Sequence, residues 1–391
     1  MAGRVMVTYH PLYDGRGFSP LSASWSRYRQ AMDRMAELGI LDEVDVQPPP
    51  LAEDIDLLRC HTRAHLEAIR AGDTVGRGTF ATSDKPAWRG ILPRARAAVG
   101  GTLYAARQVA AGTVRHVFNP GGGLHHAMRD QARGFCPFND IAIAADLLAT
   151  FGLGRVAIID IDAHHGDGTQ TILYDRDVLK ISLHQYDGKY FPGTGLVEEV
   201  GWGAGYGLTV NVPLPRYIGE DAYVHAFCAI VPPAVRAFDP DVLIVNFGVD
   251  GHYDDRLSRL GLGVSTYRAI GATLHALAHE QCDGRLIVTG SGGYNPRVVA
   301  SCWSVLVATL TGVLSAPDGM IDAMLNVNVS GRGEEMSALL RPLRATSAWP
   351  GPFAVLRDDP PAPDHAAVIQ SSGVINTVTN HVLPIRLTRQ T

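Results

Sequence analysis

The chain of 391 residues is 46% hydrophobic and 19% charged, with 42 glycines and 24 prolines, which excludes a disordered tail, a coiled coil or a mini-protein and supplies a large buried core. A net charge of -5 and a pI near 6.3 leave no broad basic field for nucleic acid or an anionic membrane, so direct nucleic-acid binding is not expected. Five scattered cysteines, Cys60, Cys136, Cys228, Cys282 and Cys302, form no CxxC pair and suggest neither a disulfide framework nor a thiolate zinc site.

The first residues, MAGRVMVTYHPLYDG, lack a charged stretch followed by an apolar one, and no apolar run approaches the roughly 18 residues of a membrane span. A soluble cytoplasmic protein is the expectation. Onward from there, short β-branched runs alternate with longer amphipathic stretches. The pattern predicts strands over 4–10, 115–120, 155–160, 178–184, 241–248 and 285–290. It predicts helices over Arg27 to Leu38, Leu92 to Ala111, Asn139 to Thr150, Ala222 to Ala237, Thr266 to His279 and Arg297 to Leu314, each with an apolar stripe near a 3.6 period. Such alternation marks a parallel sheet with crossover helices. The DPPAPD stretch at 359–364 reads as a linker or strap, and VIQSSGVINTVTNHVLPIRL beyond it reads as β-prone.

Four of the strand runs lead directly into clusters of Gly, His, Asp or Tyr: NPGGGLHHA, DIDAHHGDG, FGVDGHYDD and TGSGGYNP. Ligands gather at the carboxyl ends of strands in an open α/β sheet, so four loops converging on one site is the main inference from the residues. In DIDAHHGDG, alternate positions put Asp162 and His164 on one side of an extended backbone. Asp250 follows another strand, and two Asp with one His suit a catalytic divalent metal of the zinc type with an open position for water. Any one of these residues alone also reads as a helix cap or loop anchor. The adjacent pair His125 and His126 follows a glycine turn that permits close approach to a ligand. Asp160 and Asp167 are the carboxylates available to orient the two rings. Tyr294, after a glycine loop, can aim a phenol at an oxyanion, although taken alone it reads as a packed aromatic.

These residues resemble the zinc-dependent histone deacetylase and acetylpolyamine amidohydrolase family, in a class II-like bacterial form. The matching stretches are NPGGGLHHA (119–127), GFCPFND (134–140), DIDAHHGDG (160–168), SLHQ with FPGTG (182–195), GAGYGLTVNVPLP (203–215), VLIVNFGVDGHYDD (242–255) and GSGGY (290–294). The resemblance implies an arginase-like α/β fold, with a mostly parallel central sheet flanked by helices. It implies a catalytic domain over 1–315 and an extension over 316–391 packed on the same domain. It also implies zinc on Asp162, His164 and Asp250, with His126 as general base, His125 as its electrostatic or acid partner, and Tyr294 completing the oxyanion site. Asp160 would pair with His125 and Asp167 with His126. Phe135 and Phe191 would wall a tunnel for an acyl amine, with Gly134 and Gly292 beside the substrate. A potassium ion would sit behind the zinc on Asp160, Ser182 and main-chain carbonyls near Asp162, His164 and Leu183.

Some positions depart from the family pattern. Asn246-Phe247-Gly248 stands where Ser-Ala-Gly is common, and Asp255-Arg256-Leu257 replaces Asp-Pro-Leu. Either Arg27 or Arg29 fills the internal-channel position, and Asp73 and Asp84 are the candidates for an acidic rim residue. The expected reaction is removal of an acetyl or other short acyl group from an extended aliphatic amine. The substrate is expected to be a small acetylated amine or polyamine or an acetyl-lysine, with a small acetylated amine or biosynthetic intermediate preferred over a protein acetyl-lysine because no lysine-rich or acidic interaction tail is evident. A dimer that narrows the entrance, as in the polyamine branch, is the homo-oligomer the resemblance suggests. The alternatives are a catalytically silent acyl-lysine binder and a binuclear manganese ureohydrolase. The latter needs a second carboxylate two residues from Asp250, where Gly248 and His252 stand.

Overall fold

The structure, a computed structural model, describes residues 5–14, 27–77, 87–327 and 333–383. Eight strands, β1 (Val5–Thr8), β2 (Val44–Gln47), β3 (His116–Asn119), β4 (Val156–Asp160), β5 (Leu179–Gln185), β6 (Thr209–Leu214), β7 (Val242–Asn246) and β8 (Leu286–Thr289), form one sheet. Every pairing is parallel, in the order β2-β1-β3-β8-β7-β4-β5-β6. The helices begin with α1 (Arg27–Glu37), α2 (Asp54–Leu57), α3 (Arg63–Val75), α4 (Ile91–Ala110), α5 (Asp140–Ala149) and α6 (Asp167–Ile172). They continue with α7 (Gly219–Phe238), α8 (Val264–Cys282), α9 (Pro296–Leu310), α10 (Met320–Leu325), α11 (Gly333–Arg344) and α12 (His365–Thr377).

An all-parallel sheet has to be covered on both faces, so its strands read as apolar throughout and split their side chains by alternation. Val156 and Ile158 of β4 enter a core with α3, α4 and α5, while Ala157 and Ile159 enter a second core with α1, α7, α8 and α9. The same split runs through Val242 to Val245 of β7. No described helix is long and apolar enough to cross a membrane.

Register decides where the loops leave. Asn119 of β3 pairs with Thr289 of β8, Thr289 with Asn246 of β7, Asn246 with Asp160 of β4, and Asp160 with Ser182 of β5. The chain therefore carries a buried polar rung across its carboxyl end, and the four motif-bearing loops leave from four neighbouring strands.

The segment read as β-prone after residue 367 is helical instead, in α12 and a π-helical turn at Val378–Val382, with 384–387 outside the described residues. Ala367, Ser371, Ile375, Val378 and Val382 are buried, a spacing of three and four that follows a helix face, and packing on that face overrides the β propensity of the valines and isoleucines. Asp364 caps the helix by accepting from Ala366 N at 2.9 Å. Both α11 and α12 lie against α7. Arg344 there pairs with Glu220 at 3.0 Å and Asp221 at 2.6 Å.

Lys180 on β5 is buried, with its ammonium donating to Leu173 O at 2.7 Å, and burial pushes the amine down to about 7. Between that value and the ordinary lysine value of about 10.4, the unfolded chain holds a proton that the folded chain does not. Stability therefore rises with pH across this window, by up to about 1.4 kcal/mol per unit, and that contribution is lost as pH falls toward about 7. Lys180→Met should flatten this slope relative to wild type in denaturant unfolding at pH about 7.5 and about 9.5.

Candidate metal centre and active site

The loop after β4 delivers Asp162 and His164, and the loop after β7 delivers Asp250; all three are buried, with ligand atoms within 4.8 Å of one another. His164 Nδ1 lies 3.1 Å from Asp162 Oδ1 and 2.8 Å from Asp250 Oδ2. The remaining oxygens are already engaged. Asp162 Oδ2 accepts from Ser291 Oγ at 2.8 Å and Gly292 N at 2.7 Å, and Asp250 Oδ1 accepts from Ala163 N at 2.8 Å. Asp250 Oδ2 is buried and lies against His164 Nδ1 with no backbone or hydroxyl donor of its own, and a buried carboxylate oxygen facing an imidazole nitrogen and a second carboxylate is a fit for a divalent cation. Burial and the neighbouring Asp162 push the Asp250 carboxyl up to about 7. Burial opposes charging of His164, but Asp250 and Asp162 outweigh it and raise the imidazole to about 10. His164 Nε2 is held 2.9 Å from Tyr190 Oη, with the two rings stacked at 4.8 Å. His165 turns the other way, to Thr194 and Gln170.

Beside this triad, His125 Nδ1 lies 2.7 Å from Asp160 Oδ2 and His126 Nδ1 2.7 Å from Asp167 Oδ1, with ring centroids 4.0 Å apart. Arg133 donates to the second oxygen of Asp167 at 2.6 Å. Asn246 Nδ2 donates to Asp160 Oδ1 and Ser291 Oγ, each at 3.0 Å, so this departure from the family pattern ties three of the loops together. The two imidazoles have opposed environments. Burial lowers His125, but Asp160 and Asp162 overcome it and raise the ring to about 9. Burial and the charge of His125 outweigh Asp167 at His126 and hold that ring down to about 4. At neutral pH the pair is one cation and one neutral base.

A cavity of about 370 Å³ opens over His164 between Phe135 and Phe191, with Gly134 and Tyr190 in its wall and Asp187, Lys189 and Arg216 toward its mouth. Phe191 meets His126 edge-on at 5.0 Å, and Phe135 meets Tyr294 at 6.4 Å. Gly134 has φ +52° and lies so close to the His126 ring that a Cβ would overlap it. Tyr294 is half-buried, 6.4 Å from His164 between ring centroids, and its N–H donates to Asp255 Oδ2 at 2.7 Å. Asp255 thus positions the tyrosine loop, while Arg256 beside it is exposed. Of the two arginines left open, Arg27 is the internal one, donating to Gly293 O at 2.7 Å; Arg29 is exposed and pairs with Asp33. Asp73 accepts from Gly90 N at 2.6 Å at the start of α4 and is not in the cavity wall. Asp84 and positions 15–25 of the N-terminal loop lie outside the described residues.

The histone deacetylase domain model matches residues 22–310. The chain is 37% identical over 293 residues to "Acetoin utilization protein AcuC" of Bacillus subtilis (strain 168), covering 72% of this chain and 75% of that protein. It is 39% identical over 283 residues to "Histone deacetylase-like amidohydrolase" of Pseudomonas aeruginosa, covering 71% and 73%. The fold matches the crystal structure of the HDA15 HD domain with a TM-score of 0.73 and 27% identity, over 88% of this chain and 98% of that one. The chain belongs to the histone deacetylase family. Its eight-stranded parallel sheet between helical layers is the family's arginase-like architecture.

Sequence reasoning missed two residues of this histone deacetylase family site. Tyr190, immediately before FPGTG, and Arg133, immediately before GFCPFND, carry no local signal, because each reaches its partner, His164 or Asp167, 26 or 34 positions away. Glycine is required where the triad is tightest. A Cβ on Gly292 would lie 2.5 Å from both Asp162 Oδ2 and Asp250 Oδ2. Gly292→Ala should therefore weaken divalent-metal retention at this centre about tenfold or more while the chain stays folded, as read by competition with a chromophoric chelator.

Proposed function

We propose that this chain is a zinc-dependent amidohydrolase that removes an acetyl or other short acyl group from the terminal amine of an extended aliphatic substrate. The observation that carries the proposal is the convergence of Asp162, His164 and Asp250 with two carboxylate-buttressed histidines at the base of an aromatic-walled cavity. Asp162, His164 and Asp250 would hold the ion, which when bound supplies Lewis acidity to the acyl carbonyl and lowers the pKa of water.

The protein's own groups do the rest. Phe135 and Phe191 grip the aliphatic stem and keep water from it. His126 Nδ1 is engaged by Asp167, which leaves Nε2 as the base that takes the proton of the attacking water as the new C–O bond forms. Tyr294 donates to the carbonyl oxygen as it becomes an oxyanion, and cationic His125, fixed by Asp160, offsets the same charge. The C–N bond then breaks, the proton held on His126 goes to the amine, and acetate and free amine leave. The proposal extends to potassium, which Asp160 and Ser182, register partners at the ends of β4 and β5, would hold with main-chain carbonyls near Asp162, His164 and Leu183.

Among the described lining residues the mouth carries Lys189, Arg216 and Asp187, and Arg216 is paired with Asp187 at 3.2 Å. That charge balance favours an acyl amine bearing few positive charges, a monoacyl amine or an acetyl-lysine peptide, over a long polycation. A binuclear ureohydrolase gains no support, because Gly248 has no ligand to offer and His252 is held by Asp358 at 2.7 Å.

Acetate release from acetyl-lysine peptide, a monoacetylated diamine and acetylated polyamines, with and without chelator, tests the reading. Chelator-sensitive release is expected; no release from any of them would leave the silent binder. Tyr294→Phe should keep its metal and lose turnover by on the order of 10² to 10³, and unchanged turnover would remove Tyr294 from the mechanism. Asp250→Asn should lose the metal of this centre, measured by elemental analysis, and full retention would overturn its assignment as a ligand.

A further inference from the structure

At the opposite, amino-terminal end of the sheet, three histidines that the proposed chemistry does not use meet at one point. His116 is the first residue of β3, and His275 and His279 lie one turn apart near the end of α8. Their Nε2 atoms form a closed triangle: 3.0 Å from His275 to His116, 3.1 Å from His116 to His279, and 3.2 Å from His279 to His275. Both α8 rings stand edge-on to His116, at interplanar angles of 86° and 85°.

Hydrogen bonding among the rings does not account for this triangle. A neutral imidazole nitrogen is either a donor or an acceptor. With one N–H in the triangle two lone pairs still face each other near 3 Å, with two a pair of N–H groups does, and with none or three every edge sets like against like, so at least one edge is always unsatisfied. A cation at the centre satisfies all three at once. Tetrahedral zinc with Zn–N of about 2.0–2.1 Å sets its nitrogen ligands about 3.3 Å apart, so edges of 3.0 to 3.2 Å need only a slight outward relaxation of the rings. Two histidines at i and i+4 on one helix face are a bidentate claw for such an ion, and His116 adds the third nitrogen from the sheet. Burial is graded from buried His116 to exposed His279, which leaves the fourth position toward water. The turn after α8 is shaped around the cluster, for a Cβ on Gly284 would lie 2.9 Å from His279 Cε1 and 3.2 Å from His116 Cε1.

We propose that His116, His275 and His279 form a second divalent-metal site of the all-imidazole zinc class, which fastens the end of α8 to the start of β3. Softer thiolate-seeking and hard oxygen-seeking ions are disfavoured by a donor set of three imidazoles. The proposal does not depend on the function assigned to the first centre.

The test uses the full chain as wild type, as Asp250→Asn, as His275→Ala/His279→Ala, and with all three substitutions, each dialysed against zinc and then buffer. Elemental analysis should find two zinc ions per wild-type chain, one in Asp250→Asn, one in the double-histidine variant and none in the combined variant. Acetate release should be unchanged in the double-histidine variant, which also reports that it is folded. In the Asp250→Asn background, cobalt(II) should give visible tetrahedral bands that vanish when His275 and His279 are removed. Equal zinc content with and without these two histidines, in both backgrounds, would overturn the proposal. Failure of the first centre's assignment would show separately, as equal zinc content in wild type and Asp250→Asn, with one zinc still lost in each background when the two histidines are removed.

Discussion

Everything in the candidate site hangs from the level ends of β3, β8, β7 and β4. Asn119, Thr289, Asn246 and Asp160 sit side by side as register partners and are buried. Buried polar groups are tolerated only when hydrogen-bonded, and Asn246 satisfies three neighbours at once: it donates to Asp160 and Ser291 and accepts from Thr289 Oγ1 at 2.9 Å. A slip of one residue in any of these strands would turn the rung into the apolar cores and leave its donors unpaired. The register that the cores demand is thus the register that brings Asp162, His164, Asp250 and His125 to one point.

That point concentrates four buried carboxylates and three buried imidazoles in contact. The arrangement is held by giving nearly every carboxylate oxygen a partner and leaving Asp250 Oδ2 aimed at the triad. Glycines make the close approach feasible at Gly134 against His126 and at Gly292 against the carboxylates of Asp162 and Asp250. The same crowding separates the two histidines chemically. His125 sees two carboxylates and stays charged, whereas His126 sees one carboxylate and a neighbouring cation and stays neutral.

The carboxyl-terminal part of the chain braces this arrangement from behind. Asp358 accepts from His252 Nε2 at 2.7 Å and from Val264 N at 3.0 Å, linking the loop that carries Asp250 to the start of α8. Arg268 of α8 donates to Ala348 O and Ser315 O, each at 2.6 Å, and lies over the buried ring of Trp349. Through these contacts, and those of α11 and α12 with α7, described residues beyond 316 pack on the helices that cover the sheet.

Much of this was legible from sequence. Six of the eight described strands follow from short β-branched apolar runs and the long helices from 3.6-residue patterns, because burial on both faces and on one face respectively imposes those patterns locally. The loops were legible because Gly, His and Asp at strand ends serve no core. The strands β2 and β6, at the two edges of the sheet, are not among the predicted runs. The helical fate of residues 368–383 did too, since β-branched composition masked a helical spacing that only α7 and the core could reward. What the sequence determined by itself is the chemistry of each loop and the class of the sheet. What the tertiary structure alone decided is which side chains meet: Arg27 rather than Arg29 at Gly293, Tyr190 at His164, Arg133 at Asp167, and His116 with His275 and His279. Those contacts join residues from 26 to 266 positions apart, and no local period encodes a distance across the fold.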